Sequence, residues 1–300
     1  CQPELWAAID PESQVLALLL PVRTTLMDGL LSSLTSRAVV WGSVLCAPGD
    51  AGQEALVGLL RSYRESVRGR NLFTELRNLS DLGDLRPLLA AQGFVYEDHL
   101  DYLVDLNRSP EELLQGIGRR TRKQIRRGLR KGQVSIAVVN QPQEIAICHD
   151  LLTKTYARSR VPLVDRSLFD ALFEVLYPKG MVRFLLAWVG DAAVATSVEL
   201  VYKDTIYGWY GGMDRRYGAY APNELLTWHI LSWGAQNGYR VYDFGGAGTP
   251  AEEYGVRDFK AKFGGELVCY GRYTCVHSPV RLAFSRAGYR LYRRLLHSRR

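Results

Sequence analysis

A chain of 300 residues, 47% of them apolar, is long enough to bury one large core or two ordinary ones without disulfide or metal staples. Its longest apolar run, 15–22, is broken at Pro21 and falls far short of the roughly 20 residues a bilayer requires, which excludes a spanning helix. The formal charge of +7 points to anionic partners: nucleic acid, phosphorylated small molecules or an acidic membrane face.

The first ten residues, CQPELWAAID, lack a charged segment followed by an apolar one, so no signal peptide is read there, and Cys1 as a start suggests a fragment. Cysteines 1, 46, 148, 269 and 275 are odd in number, widely spaced and without a C-x-x-C pair. Reduced thiols in a cytoplasmic protein, with no metal site, are the expectation.

In chain order, VLALLLPV (15–22) and AVVWGSVLCA (38–47) read as strands, 52–69 as an amphipathic helix, NLFTELRNL (71–79) as a strand and 85–93 as a helix stopped by Gly93. FVYEDHLDYLVDL (94–106) reads as two paired strands. The stretch 109–132 reads as one long helix, with Ser109 as N-cap, Pro110 in the first turn, Glu111 and Glu112 near its positive end and Gly132 as its stop. Ile125 and Leu129 are its expected buried side.

Beyond that helix the pattern is strand (134–139), two helices (143–160 and 166–177) and three strands joined by tight turns (181–189, 193–203, 205–213). A helix (222–238), a strand (240–246), a short helix around 252–265 and a strand (266–276) follow. A basic amphipathic helix, 278–298, ends the chain. The expected division is an incomplete α/β domain over 1–108, a basic connecting helix over 109–132, a second domain over 133–277 and the final helix.

This order of elements is that of the GNAT acyltransferase fold. The segment from YGGMDRRYGAYAPNELL through VYDFGGAGTP to GVRDFKAKFGGE resembles the FemAB-like family, in which two GNAT-type domains are fused. The resemblance is carried by Tyr242-Asp243-Phe244-Gly245-Gly246 together with Phe259-Lys260 and Phe263-Gly264-Gly265. It implies an α/β fold of two GNAT-like domains, the first degenerate or truncated, and an enzyme that moves an aminoacyl group from aminoacyl-tRNA to an amine of a peptidoglycan or other cell-envelope precursor. Relatives with acyl-CoA as donor keep that alternative open. The resemblance assigns Lys260, with Phe259 beside it, to the oxyanion of the tetrahedral intermediate. The chemistry agrees, because a fixed ammonium in a water-poor cleft stabilises that charge better than water does.

Asp243 ends an apolar strand before a Gly-Gly turn, where it either relays the amine proton or caps the turn. The turn RRYGAYAPNELL offers Arg215 and Gly218 to a coenzyme A pyrophosphate, but Tyr220 stands where a small residue is usual. Asn223 at the following helix start, Tyr254, Tyr210, Arg158 and Arg160 complete the substrate-binding candidates, the arginines as clamps for a diphosphate.

Eight cations between Arg119 and Lys131 read as a solvated face or as a contact for tRNA phosphates or acidic lipid. The last helix sets Phe284, Leu291, Tyr292, Leu295 and Leu296 against arginines, which suits packing on the domain or peripheral membrane contact at the inner face. A catalytically silent RNA- or membrane-docking domain is the alternative from another class.

Overall fold

The computed structural model describes residues 2–25, 29–159 and 161–297. The chain opens with strands β1 (Gln2–Pro3), β2 (Trp6–Ile9), β3 (Val15–Leu19), β4 (Val22–Thr24), β5 (Arg37–Trp41) and β6 (Val44–Cys46). Helix α1 (Asp50–Val67), β7 (Phe73–Arg77), α2 (Arg86–Ala91) and β8 (Val95–Glu97) follow, then β9 (Leu100–Asp105), α3 (Pro110–Gly116) and α4 (Arg119–Lys131). Next come β10 (Ser135–Val138), α5 (Glu144–Ser159), α6 (Arg166–Val175), β11 (Val182–Val189), β12 (Ala192–Tyr202) and β13 (Thr205–Met213). The chain closes with α7 (Pro222–Gln236), β14 (Val241–Gly246), α8 (Gly255–Ala261), β15 (Glu266–Cys269), β16 (Arg272–Val276) and α9 (Pro279–His297).

Two compact units result, one holding the chain up to His99 and again from Cys269, the other holding Leu100–Val268. In the first, β1, β4, β5, β7, β16 and β8 form one sheet and β2, β3 and β6 a second. Helix α1 buries Leu56, Leu59, Leu60, Tyr63 and Val67, the one-sided spacing its sequence shows, in a core shared with Leu76, Phe94 and Tyr273. In the second unit a seven-stranded sheet runs in the order β10, β11, β12, β13, β14, β9, β15. One core joins Leu113 of α3, Ile117 in the link that follows, Ile125 of α4, and Leu225 and Ile230 of α7 to Ile206 and Tyr242 of the sheet. A separate core joins Ile145, Leu152 and Phe169 of α5 and α6 to Phe184 and Val198. Burial on both faces explains why β11 reads as a nearly continuous apolar run.

The expected division of the chain therefore moves. Strand β16 pairs with β7 and β8, so the stretch 266–276 is two strands in different sheets, broken at Tyr270-Gly271, where Gly271 has φ +68°. Residues 94–106 do not form a hairpin either: β8 joins β16, while β9 pairs with β14. The long basic helix is two helices, both within the second unit. Ile117 is extended (φ −68°, ψ 138°) with its side chain in the core, and the Gly118 amide donates to the Lys262 carbonyl at 2.8 Å, a contact a continuous helix cannot make.

The cap at Ser109 is as expected, with a reciprocal box to Glu112 and Pro110 in the first turn, and Gly132 closes α4 in the left-handed region. Ile125 is fully buried but Leu129 is 56% exposed, because Thr121 and Ile125 define the inner face of α4. In α9 the residue that packs inward is Leu282, and Phe284 is exposed. The side chains of Leu291, Tyr292, Leu295 and Leu296 lie outside the described residues. Among the described residues no helix is long and apolar enough to cross a membrane.

These faces set an expectation for stability. Ile125→Ala should cost about 2–5 kcal/mol and Leu129→Ala less than about 0.5 kcal/mol, read as shifts in the urea midpoint of the second unit. Equal costs would mean that α4 is turned differently.

Candidate active site

Strands β13 and β14 run parallel only at Thr205 with Val241, Ile206 with Tyr242 and Tyr207 with Asp243. Beyond Asp243 the two strands part, and β14 also loses regular register with β9 until Gly246 meets Asp101. The carbonyls at the end of β14 therefore need other donors. Lys260, on α8, supplies them: its Nζ donates to the carbonyl oxygens of Phe244 (2.7 Å), Gly245 (2.7 Å) and Gly246 (2.9 Å). Gly245, at φ +70°, takes the backbone through the turn that aims three successive carbonyls at one point. The side chain is only 8% exposed, and its three N–H donors are all engaged.

Two buried carboxyls face this ammonium. Asp243 Oδ1 accepts the Gly245 amide at 2.7 Å, so the turn-capping role is present, and Asp101 Oδ1 accepts the Tyr102 amide at 2.7 Å. The two carboxyls interact with each other, and a hydrogen bond between them would require a proton on one. Burial, and next the charge of Asp243, push the Asp101 carboxyl up to about 8. Burial also raises Asp243, against the pull of the Gly245 amide, Asp101 and Lys260. Burial brings Lys260 down to about 8 while the two carboxyls hold it up. Burial thus works against charge on all three groups, and the attraction between the ammonium and the carboxyls offsets it.

Residues 118–260 match the family profile of the acetyltransferase (GNAT) domain. This segment is a GNAT acyltransferase domain. Solved structures resemble the whole chain. FemX superposes with a TM-score of 0.68 at 15% identity, covering 91% of this chain and 88% of that one. The C-terminal domain of a putative lysylphosphatidylglycerol synthetase from Agrobacterium fabrum gives 0.61 at 14%, covering 94% and 86%. A tandem GNAT protein from the clavulanic acid biosynthesis pathway gives 0.56 at 14%, covering 90% and 82%. At these identities the likeness is one of fold. No curated protein matches the sequence.

The GNAT fold implies an acyl donor such as acyl-CoA, and the turn between β13 and α7 is where its pyrophosphate would be tested. The residues there do not fit it well. The Arg216 and Tyr217 amides are spent on Asp214, the Ala221 amide on the Gly218 carbonyl, and Pro222 has none. Residues 215–220 wind as a 3-10 helix, which spends further amides on its own carbonyls. The carboxylates of Asp214, ion-paired to Arg216, and of Glu224 in the first turn of α7 add charge of the wrong sign. Arg215 and Gly218 are exposed on this turn, and Asn223 is half-buried beside it.

The GNAT domain distributes the other candidates as follows. Phe259 is half-buried, edge-on to Phe263, and the Lys262 ammonium lies 5.5 Å from its ring centre rather than in the cluster. Tyr254 precedes α8 with its ring close to Gly248. Tyr210 packs on Phe169, Trp209 and Tyr156. Arg158 does not hang free as a clamp: its guanidinium donates to the Met213 carbonyl at 2.9 Å and to Thr155 Oγ1 at 3.3 Å, tying α5 to the end of β13. Arg160 lies outside the described residues. Asp101 escaped the sequence reading: it is buried on β9 on the face opposite Tyr102 and Val104, and no local pattern distinguishes it from the exposed Asp105 two pairs along the same face.

The raised Asp101 carboxyl sets a pH dependence. Its pKa is 3.8 when unfolded and about 8 when folded, so between those values the folded chain keeps a proton that the unfolded chain has lost. This contribution to stability is complete below about pH 4 and is lost as pH rises toward 8. Asp101→Asn, which keeps a donor for Asp243 and cannot ionise, should flatten the fall in melting temperature across that window. An unchanged slope in the variant would place the proton elsewhere.

Proposed function

We propose that this protein is an N-acyltransferase of the FemAB type, which joins an aminoacyl or related acyl group, delivered as an activated ester, to a primary amine. The observation that carries the reading is the buried cluster of Asp101, Asp243 and Lys260 at the point where β13 and β14 part. An amine nitrogen attacks the ester carbonyl carbon, a C–N bond forms, and the carbonyl oxygen takes up negative charge. Lys260 lowers the energy of that charge by proximity, since its own N–H groups are engaged with the strand. The amine's proton passes to the ionised member of the Asp101–Asp243 pair, the C–O bond of the ester breaks, and a proton returns to the leaving oxygen. The cluster ends with the proton count it started with.

The poor fit of the α7 turn to a pyrophosphate favours an ester donor such as aminoacyl-tRNA over acyl-CoA. The acceptor, an amine of a peptidoglycan or other cell-envelope precursor, rests on the sequence resemblance alone, and with it a place of action at the cytoplasmic face of the membrane.

Asp243→Asn is the sharper test. Its amide oxygen can still accept the Gly245 N–H, so the fold should hold within a few degrees of melting temperature while transfer falls by about 10²–10⁴. Parent and variant are assayed with labelled aminoacyl-tRNA and with acetyl-CoA on an amine acceptor panel. Equal turnover by both forms removes Asp243 from the chemistry. Transfer from acetyl-CoA alone replaces the donor, and RNA retention without transfer from either donor replaces the reading with a docking role. Lys260→Met strips the donor from three buried carbonyls and should cost several kcal/mol, about 1–3 for each group, so loss of activity in that variant counts only beside a circular dichroism spectrum.

A further inference from the structure

On the opposite face of the sheet from Asp243, a third buried carboxyl sits one strand beyond β13. Glu199, on β12, is 2% exposed, and its Oε2 accepts the Tyr242 hydroxyl at 3.1 Å. The bond passes over β13 at Gly208, the cross-strand partner of Glu199, where a Cβ would stand 2.6 Å from Tyr242 Oη. Any larger residue at 208 closes the path. The register of β12 against β13 shifts between Val198 and Glu199, skipping Trp209 of β13, an irregularity of the kind that re-aims side chains. Among the described residues Glu199 makes no ion pair, although Arg183 is its cross-strand neighbour on β11. That guanidinium lies 3.7 Å over the Trp233 ring of α7, on the side where the nearby His229 also feels its charge. Burial raises the Glu199 carboxyl to about 7, so it accepts the tyrosine's proton bond without demanding a counter-cation.

A buried acid held by a phenol, and without a counter-cation, costs more than an apolar pair of the same volume. Its position is informative. Tyr242 immediately precedes Asp243, and Tyr207 with Asp243 is the last pair before β13 and β14 part. A tether from β12 to β14 at that residue fixes where β14 leaves the sheet, and with it the backbone that carries Asp243 and the three carbonyls bound by Lys260.

We infer that Glu199 and Tyr242, passing over Gly208, are positioning residues for acyl transfer, holding β14 so that Asp243 meets Asp101 and Lys260. The inference rests on the proposed transfer reaction for its rate readout but has a second readout independent of it. Tyr242→Phe should lower kcat about 10- to 100-fold with KM for both substrates within about threefold, because misplacing a reacting group affects the chemical step. It should also move the carboxyl titration of the Asp101–Asp243 pair, followed by ¹³C NMR, by at least about half a pH unit. Glu199→Gln keeps an acceptor for the hydroxyl and should recover most of the rate, whereas Glu199→Met should not. Should Tyr242→Phe fail to fold, the comparison of these two Glu199 variants carries the same test. A fall in kcat at steady KM, or a moved titration, supports the positioning role. Unchanged kcat together with an unchanged titration overturns it, even if the melting temperature drops. If the parent protein transfers no acyl group at all, the titration decides alone: a shift keeps the tether and removes the reaction, and no shift removes the tether.

Discussion

One ammonium bonded to three successive carbonyls is the constraint from which the site follows. A strand that leaves its neighbour in the middle of a sheet gives up ladder hydrogen bonds, and a buried carbonyl without a donor costs about 1–3 kcal/mol. Water would satisfy Phe244, Gly245 and Gly246 if the end of β14 were wet. Here it is dry enough that Phe244 is buried, and a side chain must serve. Only lysine brings three donors on one compact head. The opening between β13 and β14 is thus held by the residue that gives it positive charge.

That choice creates a second requirement. A buried cation needs a nearby negative charge, and Asp243, on the same strand, meets it while also capping the turn through the Gly245 amide. Asp101, on β9, adds a second carboxyl that stays protonated in the field of the first. In the proposed reaction, structure and reactivity share the same atoms: the groups that let the strand part are the charge assigned to the oxyanion and the carboxylate assigned to the proton.

How much of this was readable from the sequence depends on distance along the chain. Lys260 and Asp243 stand in a compact motif after a regular order of helices and strands, so local pattern sufficed to single them out. The caps at Ser109 and Gly132 are local too, and both are where the residue chemistry puts them. The bonds from Lys260 to 244–246 were not legible, because spacing shows that a lysine follows an aromatic residue and not which carbonyls lie within reach. Asp101 and Asp243 are separated by more than a hundred residues and meet through antiparallel pairing that no periodicity encodes. The same limit explains β16. A run of apolar and aromatic residues looks like one strand, and only the positive φ at Gly271 sends its second half to another sheet. In α4 the error was one of rotation. Ile125 and Leu129 are both apolar at helical spacing, but the small Thr121 shares the inner face with Ile125, and Leu129 flanks the cations.

The charge of the whole chain, finally, says little about the site. Helix α4 holds eight cations and no acid, so the +7 of the chain becomes −1 without it. At 100° per residue, Arg119, Arg120, Lys123, Arg126, Arg127, Arg130 and Lys131 fall on one arc of about 140°, opposite the face that Thr121 and Ile125 bury. No apolar side chain lies within that arc, and the face opposite it is packed in the core, so that face is not free to enter lipid as an interfacial helix's does. The cluster at β14 is buried by contrast, its one cation bonded to backbone and faced by two carboxyls. Composition thus reports a surface, while the proposed chemistry is placed on three buried groups that composition does not single out.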